Sequence, residues 1–162
     1  MTSLQSNPDS VSTNDNSVSH LIEETTANNP VEVIETVIAS LASDHTAMVN
    51  HSDQGYLWKF KYGTVEVFVQ LSGLTDEDAL TVWSSVLKLP AKDEPSLMRK
   101  LLEMNWSSTL ESRFAILDGE VVVVSTRSLA DVSPGEISRA ITIVATLADD
   151  HDEALQAQYG AG

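Results

Sequence analysis

STLESRFAILDGEVVVVSTRSL, residues 108–129, decides how the rest of the chain is read. Asp118-Gly119 is a strong two-residue hairpin signal, because a type I′ turn needs positive φ at both central positions. Alternation of small or polar and apolar residues leads into it on the N-terminal side. On the other side come four successive valines, Val121 to Val124. Such a run predicts a strand covered on both faces. A hairpin makes the sheet antiparallel, so the neighbouring helices must pack on it.

Working outward, DVSPGEISRAITIVATLADDHDE at 131–153 begins a long last helix. Ser133-Pro134-Gly135-Glu136 is a capping box with Pro at the first helical position. Ile137, Ile141, Val144 and Leu147/Ala148 carry its apolar stripe. Upstream, KDEPSLMRKLLEMNW predicts another helix, with Pro95 near its start and Leu97, Leu101, Leu102 and Met104 apolar. Before it the pattern has period two. Tyr56, Trp58, Phe60 and Tyr62 share one strand face, opposite Leu57, Lys59 and Lys61. Gly63 marks a tight turn. Val65, Val67, Val69 and Leu71 make the next strand, and LTVWSSVLKLP a third long one ended by Pro90. The first helix is NNPVEVIETVIASLASDH, capped by Asn29, with Pro30 at its start and Val31, Ile34, Ile38 and Leu41 on one stripe.

The expected fold class is therefore α+β, an antiparallel sheet with helices in the order α-β-β-β-α-β-β-α. A short strand between His45 and His51 would raise the first group of strands to four. Residues 30–160 read as a single domain. Residues 1–29 are rich in Ser, Thr, Asn and Asp and have few large apolar side chains, so a disordered acidic tail is expected there. Only Leu21 and Ile22 interrupt it.

Charge narrows the function. Nine basic residues face 24 acidic ones in 162, for a formal net charge of −15. No Lys or Arg precedes Lys59 or follows Arg139. Nucleic-acid and anionic-membrane partners are disfavoured, since both need cations. No apolar run approaches the ~20 residues of a membrane helix. MTSLQSNPDS has neither a basic n-region nor an apolar h-region, so no secretory signal is expected. The absence of cysteine removes thiolate chemistry and fits a cytoplasmic location.

Catalytic and metal sites are not expected. Asp149, Asp150, His151, Asp152 and Glu153 look like the solvated part of a helix that continues to Gly160. One helix with one His does not supply convergent zinc ligands, and a calcium loop's glycine turn is missing. The histidines read as surface or turn residues, with Asp44 and Asp53 near His45 and His51. Phosphate loops and nucleophile elbows are absent. Arg127, Asp131 and Arg139 are expected to pair around the start of the last helix. The aromatic row Tyr56, Trp58, Phe60 and Tyr62 has two readings, core or partner-binding surface.

KLPAKDEPSLMRKLLEMNW, TVEVFVQLS, the SPGEISRAI block and the LADDHDE block resemble the cyanobacterial branch of the YbjN domain family, over roughly residues 30–160. That family is similar in fold to type III secretion chaperones, which are acidic dimers without enzymatic activity. The resemblance implies a non-enzymatic, dimeric, cytoplasmic chaperone or assembly factor, without cofactors, holding a segment of a client protein, and the acidic surface would suit a basic or amphipathic one. The alternative is a regulatory adaptor that docks to one folded partner. Leu97, Met98, Leu101, Leu102 and Met104 cover more than the ~100° stripe of a helix packed on one side. Together with the neighbouring hairpin strand, they are the candidate homodimer interface.

Overall fold

The turn at Asp118-Gly119 has φ of 49° and 77°, both positive as type I′ geometry requires. It joins β5 (Arg113–Leu117) to β6 (Glu120–Ser128) in the register Leu117↔Glu120 and Phe114↔Val123. The computed structural model describes residues 29–44 and 47–162. Residues 1–28 of the tail expected at the N-terminus, along with His45, lie outside them, while Asn29 caps the first helix.

Around that hairpin stand α1 (Pro30–Leu41), β1 (Met48–Ser52), β2 (Gly55–Tyr62), β3 (Val65–Leu71), β4 (Ala79–Lys88), α2 (Glu94–Ser107) and α3 (Pro134–Tyr159). The fold is α+β, with helix, strands, helix, hairpin and helix in the expected order. The short strand before β2 is present, and His51 lies within it rather than beside it. The sheet is antiparallel throughout in the order β1-β2-β3-β4-β6-β5.

Local chemistry sets the helix starts. Asn29 accepts from the Val31 amide at 3.1 Å, and Ser133 from the Glu136 amide at 3.1 Å, while the Ser133 hydroxyl donates to the Glu136 carboxylate. A cap of this kind is worth about 1 kcal/mol. α3 is the central element of the core. It lies across β4, β6 and β3 and packs against α1. Its Ile137, Ile141, Val144, Ala148 and Leu155 meet Val67, Val69, Val82 and Val123 of the sheet in one buried cluster. A bulge separates Ser85 from Leu87, so consecutive Val86 and Leu87 are both buried. The Gln156 side-chain amide of α3 donates to the Val86 carbonyl at 3.3 Å, satisfying the oxygen beside the irregularity.

The β3–β4 turn is held by one carboxylate. Asp78 accepts from the Thr75 amide and hydroxyl and from the Ser72 hydroxyl at 2.8–2.9 Å. The Thr75 amide, then the two hydroxyls, hold its pKa below the ordinary 3.8. A depressed carboxylate stabilises the fold above its unfolded value and loses that contribution as pH falls through the folded one. Asp78→Asn is therefore expected to flatten the decline in urea midpoint below about pH 4. A decline as steep as that of the unmodified chain would show that the turn does not depend on the ionised group.

Candidate partner-binding surfaces

The aromatic row divides. Trp58 and Phe60 are buried in the core, at 0% and 1% exposure, and the half-buried Tyr56 and Tyr62 pack against the same cluster. The physical reason is register. Trp58 and Phe60 lie opposite Val69 and Val67, on the face that the helices cover. The Trp58 indole N–H reaches Glu35 of α1 at 3.5 Å. These two rings therefore present no free surface, which corrects the partner-binding reading for the centre of the row. At its outer end His51 stacks on Tyr56 at 4.3 Å, and Tyr56 on Trp58 at 5.5 Å.

The candidate dimer residues on α2 also divide. Leu97 and Leu101 are buried in the core, and Met98 and Met104 are partly buried against it. Only Leu102, at 70% exposure, is free. Residues four apart on a helix share a line. Leu97, Leu101 and Asn105 form the inward line, while Met98, Leu102 and Trp106 form the next, about 100° round the axis. Trp106 is 92% exposed and Leu110, just beyond the helix, 69%. Asn105 links α2 to the edge strand. Its side-chain oxygen accepts from the Phe114 amide at 2.7 Å, and its amide donates to the Phe114 carbonyl at 3.3 Å. It thereby stands in for a neighbouring strand on an edge strand that also carries exposed Ile116 and, on the opposite face, exposed Leu117. Ile116 and Leu117 lie on the hairpin strand beside α2 that was expected to share the interface, whereas Leu110 was not expected there. The available signal was the four-residue spacing of Leu102, Trp106 and Leu110, offset from the core stripe.

The acidic run is not simply solvated. α3 continues past it to Tyr159, as expected, so the run lies within the helix. Asp149 accepts from the Thr64 amide at 2.9 Å and stands 3.0 Å from its hydroxyl, which also lies 2.8 Å from Asp152. A hydroxyl carries one proton, so it serves the two carboxylates in turn. Asp152 is only 4% exposed, and its other oxygen has no hydrogen-bond partner. The turn between β2 and β3 permits this approach because Gly63, at φ +54°, has no Cβ to overlap the Asp149 carboxylate. His151 meets Phe114 edge-on at 6.1 Å. Asp150 and Glu153 are exposed.

Thr64→Ala should destabilise the fold by about 1–3 kcal/mol, because it strips a buried carboxylate of its hydrogen bond. Chelator should change nothing. A urea midpoint unmoved by the substitution would show that Asp152 is satisfied otherwise.

The expected ion-pair trio is also rearranged. Arg127 pairs with Glu136 at 3.2 Å and Arg139 with Glu111 at 2.6 Å, while Asp131 sits in a positive-φ bend. The Glu111 hydrogen bond raises the Arg139 pKa, and Arg139 in turn lowers that of Glu111. Among the described residues no three His, Cys, Asp or Glu converge on a metal-sized space, and no helix is long and apolar enough to cross a membrane.

An antiparallel sheet with α1 and α3 on one face, and an apolar ridge left open on the helix beside its edge strand, defines a class of small α+β domain. The YbjN family, described as "Putative bacterial sensory transduction regulator", matches residues 30–157, and the chain belongs to it. Among solved structures it is similar to the HopA1–SchA chaperone–effector complex, with a TM-score of 0.50 at 12% identity, covering 84% of this chain and 97% of that one. It also matches the ExsC–ExsE complex, with a TM-score of 0.47 at 13% identity, covering 76% and 94%. The shared feature is the fold. No curated protein matches the chain.

Proposed function

We propose that this YbjN member, of the family's cyanobacterial branch, is a non-enzymatic, cytoplasmic protein-binding module. It works as a homodimer and holds a segment of a client protein, as a chaperone or assembly factor. The observation that carries the reading is the exposed apolar set Leu102, Trp106 and Leu110 on and just after α2, with exposed Ile116 on the edge strand β5. An indole left 92% exposed on a rigid helix is out of place on a free monomer surface. Trp is also the residue most enriched where proteins meet. A two-fold axis near α2 would set the ridge against its own copy, and closed pairs are the commonest oligomers. The structural likeness to a chaperone–effector complex supports the fold part of this reading.

The family description favours a second reading, a regulatory adaptor docking to one folded partner. Light scattering and client mapping separate them. At ~100 μM, well above the Kd of ordinary specific pairs, the mass should be twice the 17.6 kDa of one chain. Cross-linking of captured partners should map to one extended or helical segment. A single-chain mass removes the dimer, and cross-links spread over a folded partner's surface favour the adaptor.

A further inference from the structure

The face of the sheet turned away from α1 and α3 carries its own apolar centre. In register across five strands lie Lys59, Phe68, Trp83, Val124 and Arg113. Phe68 and Trp83 stack at 5.3 Å, outside the core cluster. Both are only partly buried, and among the described residues no helix lies over them. Next to this row runs a second, Lys61, Glu66, Ser85, Val122 and Ala115.

The charge on this face runs against that of the whole chain. Lys59, Lys61, Lys88 and Arg113 point to it, opposed by Glu66 and Glu120, which leaves it net positive on a chain of net charge −15. Glu66 neutralises Lys59 at 3.0 Å. Lys61 and Arg113 have no ion pair among the described residues. They stand near opposite edges of the face, about 19 Å apart at 4.7–4.9 Å per strand. Between these cations the surface is aromatic and aliphatic.

We propose that this face is the docking site for an acidic amphipathic helix of a partner protein, lying across the strands. Its apolar stripe covers Phe68, Trp83 and Val124, and its carboxylates meet Lys61 at one end and Arg113 at the other. A helix spanning that separation has about 13 residues. Charge complementarity decides the class of occupant. A basic segment would bring like charges onto Lys61 and Arg113, whereas the acids elsewhere on the protein are screened beyond ~8 Å at physiological salt. The inference deepens the client-holding reading above and rests on it, naming the chemistry of the segment and a surface separate from the α2 ridge.

The probe is a fluorescein-labelled 14-residue peptide with Leu on one helical stripe and Glu elsewhere, against a twin with every Glu replaced by Lys. Anisotropy with the full chain should show the acidic peptide binding at least about tenfold more tightly than its twin. Lys61→Glu/Arg113→Glu should reverse that preference. Of the three indole N–H resonances, that of Trp83 should shift, while buried Trp58 should not. Equal or tighter binding of the basic twin overturns the proposal, as does a preference unchanged in the double variant. Two further results overturn it by assigning another occupant. One is a Trp83 signal that moves on deletion of residues 1–28 without peptide, which puts the chain's own acidic N-terminus there. The other is a mass that drops to one chain in Trp83→Glu, which puts a second copy there. A single-chain mass with the acidic peptide still bound removes the dimer and leaves this site. A two-chain mass with the acidic peptide unbound does the reverse.

Discussion

Leu102→Glu and Trp106→Glu are each expected to yield a folded single chain in place of the proposed dimer. Both side chains are more than two-thirds exposed in the isolated chain, so a carboxylate at either position leaves the core intact. In a two-fold interface the same carboxylate would be desolvated against apolar surface, twice per dimer. An unpaired buried charge costs roughly 3–5 kcal/mol, which is more than a hundredfold in Kd at 1.4 kcal/mol per tenfold. Circular dichroism should be unchanged while light scattering halves the mass. Leu97→Glu is the control that separates interface from core. Leu97 is fully buried within the chain, so its substitution should unfold the protein rather than divide it. Two-chain masses for both surface variants would move the contact off α2.

What could be read from the sequence was local. Asp118-Gly119, Ser133 to Glu136 and Asn29-Pro30 act within a few residues of themselves, through turn φ angles and cap hydrogen bonds, and each forms as its chemistry dictates. Period two placed Trp58 and Phe60 on a common face without showing that it is the covered one. The opposite face, with Leu57, Phe68, Trp83 and Val122, is also apolar, so alternation alone gives no preference between them. The helix stripe on α2 was likewise legible as apolar without showing which line faced inward. That depends on Asn105 reaching the backbone of Phe114, a contact made only after β5 is in place.

The acidic run shows the same limit at longer range. Asp149 and Asp152 find Thr64 across 85 and 88 residues of sequence. Nothing in LADDHDE signals that partner. The reason becomes visible only when α3 crosses the sheet and brings its sixteenth residue onward over the β2–β3 turn. A charge cluster reads as solvated by default because most are. Here part of the run is exposed, while Asp152 is buried among packed elements and holds a turn.

Trp58→Ala is the test of the other divided group, and its expected effect is on stability. The indole is fully buried against the sheet and α1, stacked beside Tyr56, with its N–H toward Glu35. Removing a buried Trp side chain costs about 3–5 kcal/mol, because the cavity left behind refills only in part. A domain of this kind is stable by about 5–15 kcal/mol in total, so the loss is a large fraction of the whole. Urea unfolding should show it as a lower midpoint with a similar slope. Trp83→Ala, on the open face and outside the core cluster, should cost markedly less while weakening the binding of an acidic helix. The two variants thus assign the two sheet faces independently. If Trp58→Ala kept near-native stability and lost a partner instead, the aromatic row would be a binding surface after all, and the covered face of the sheet would have to open to use it.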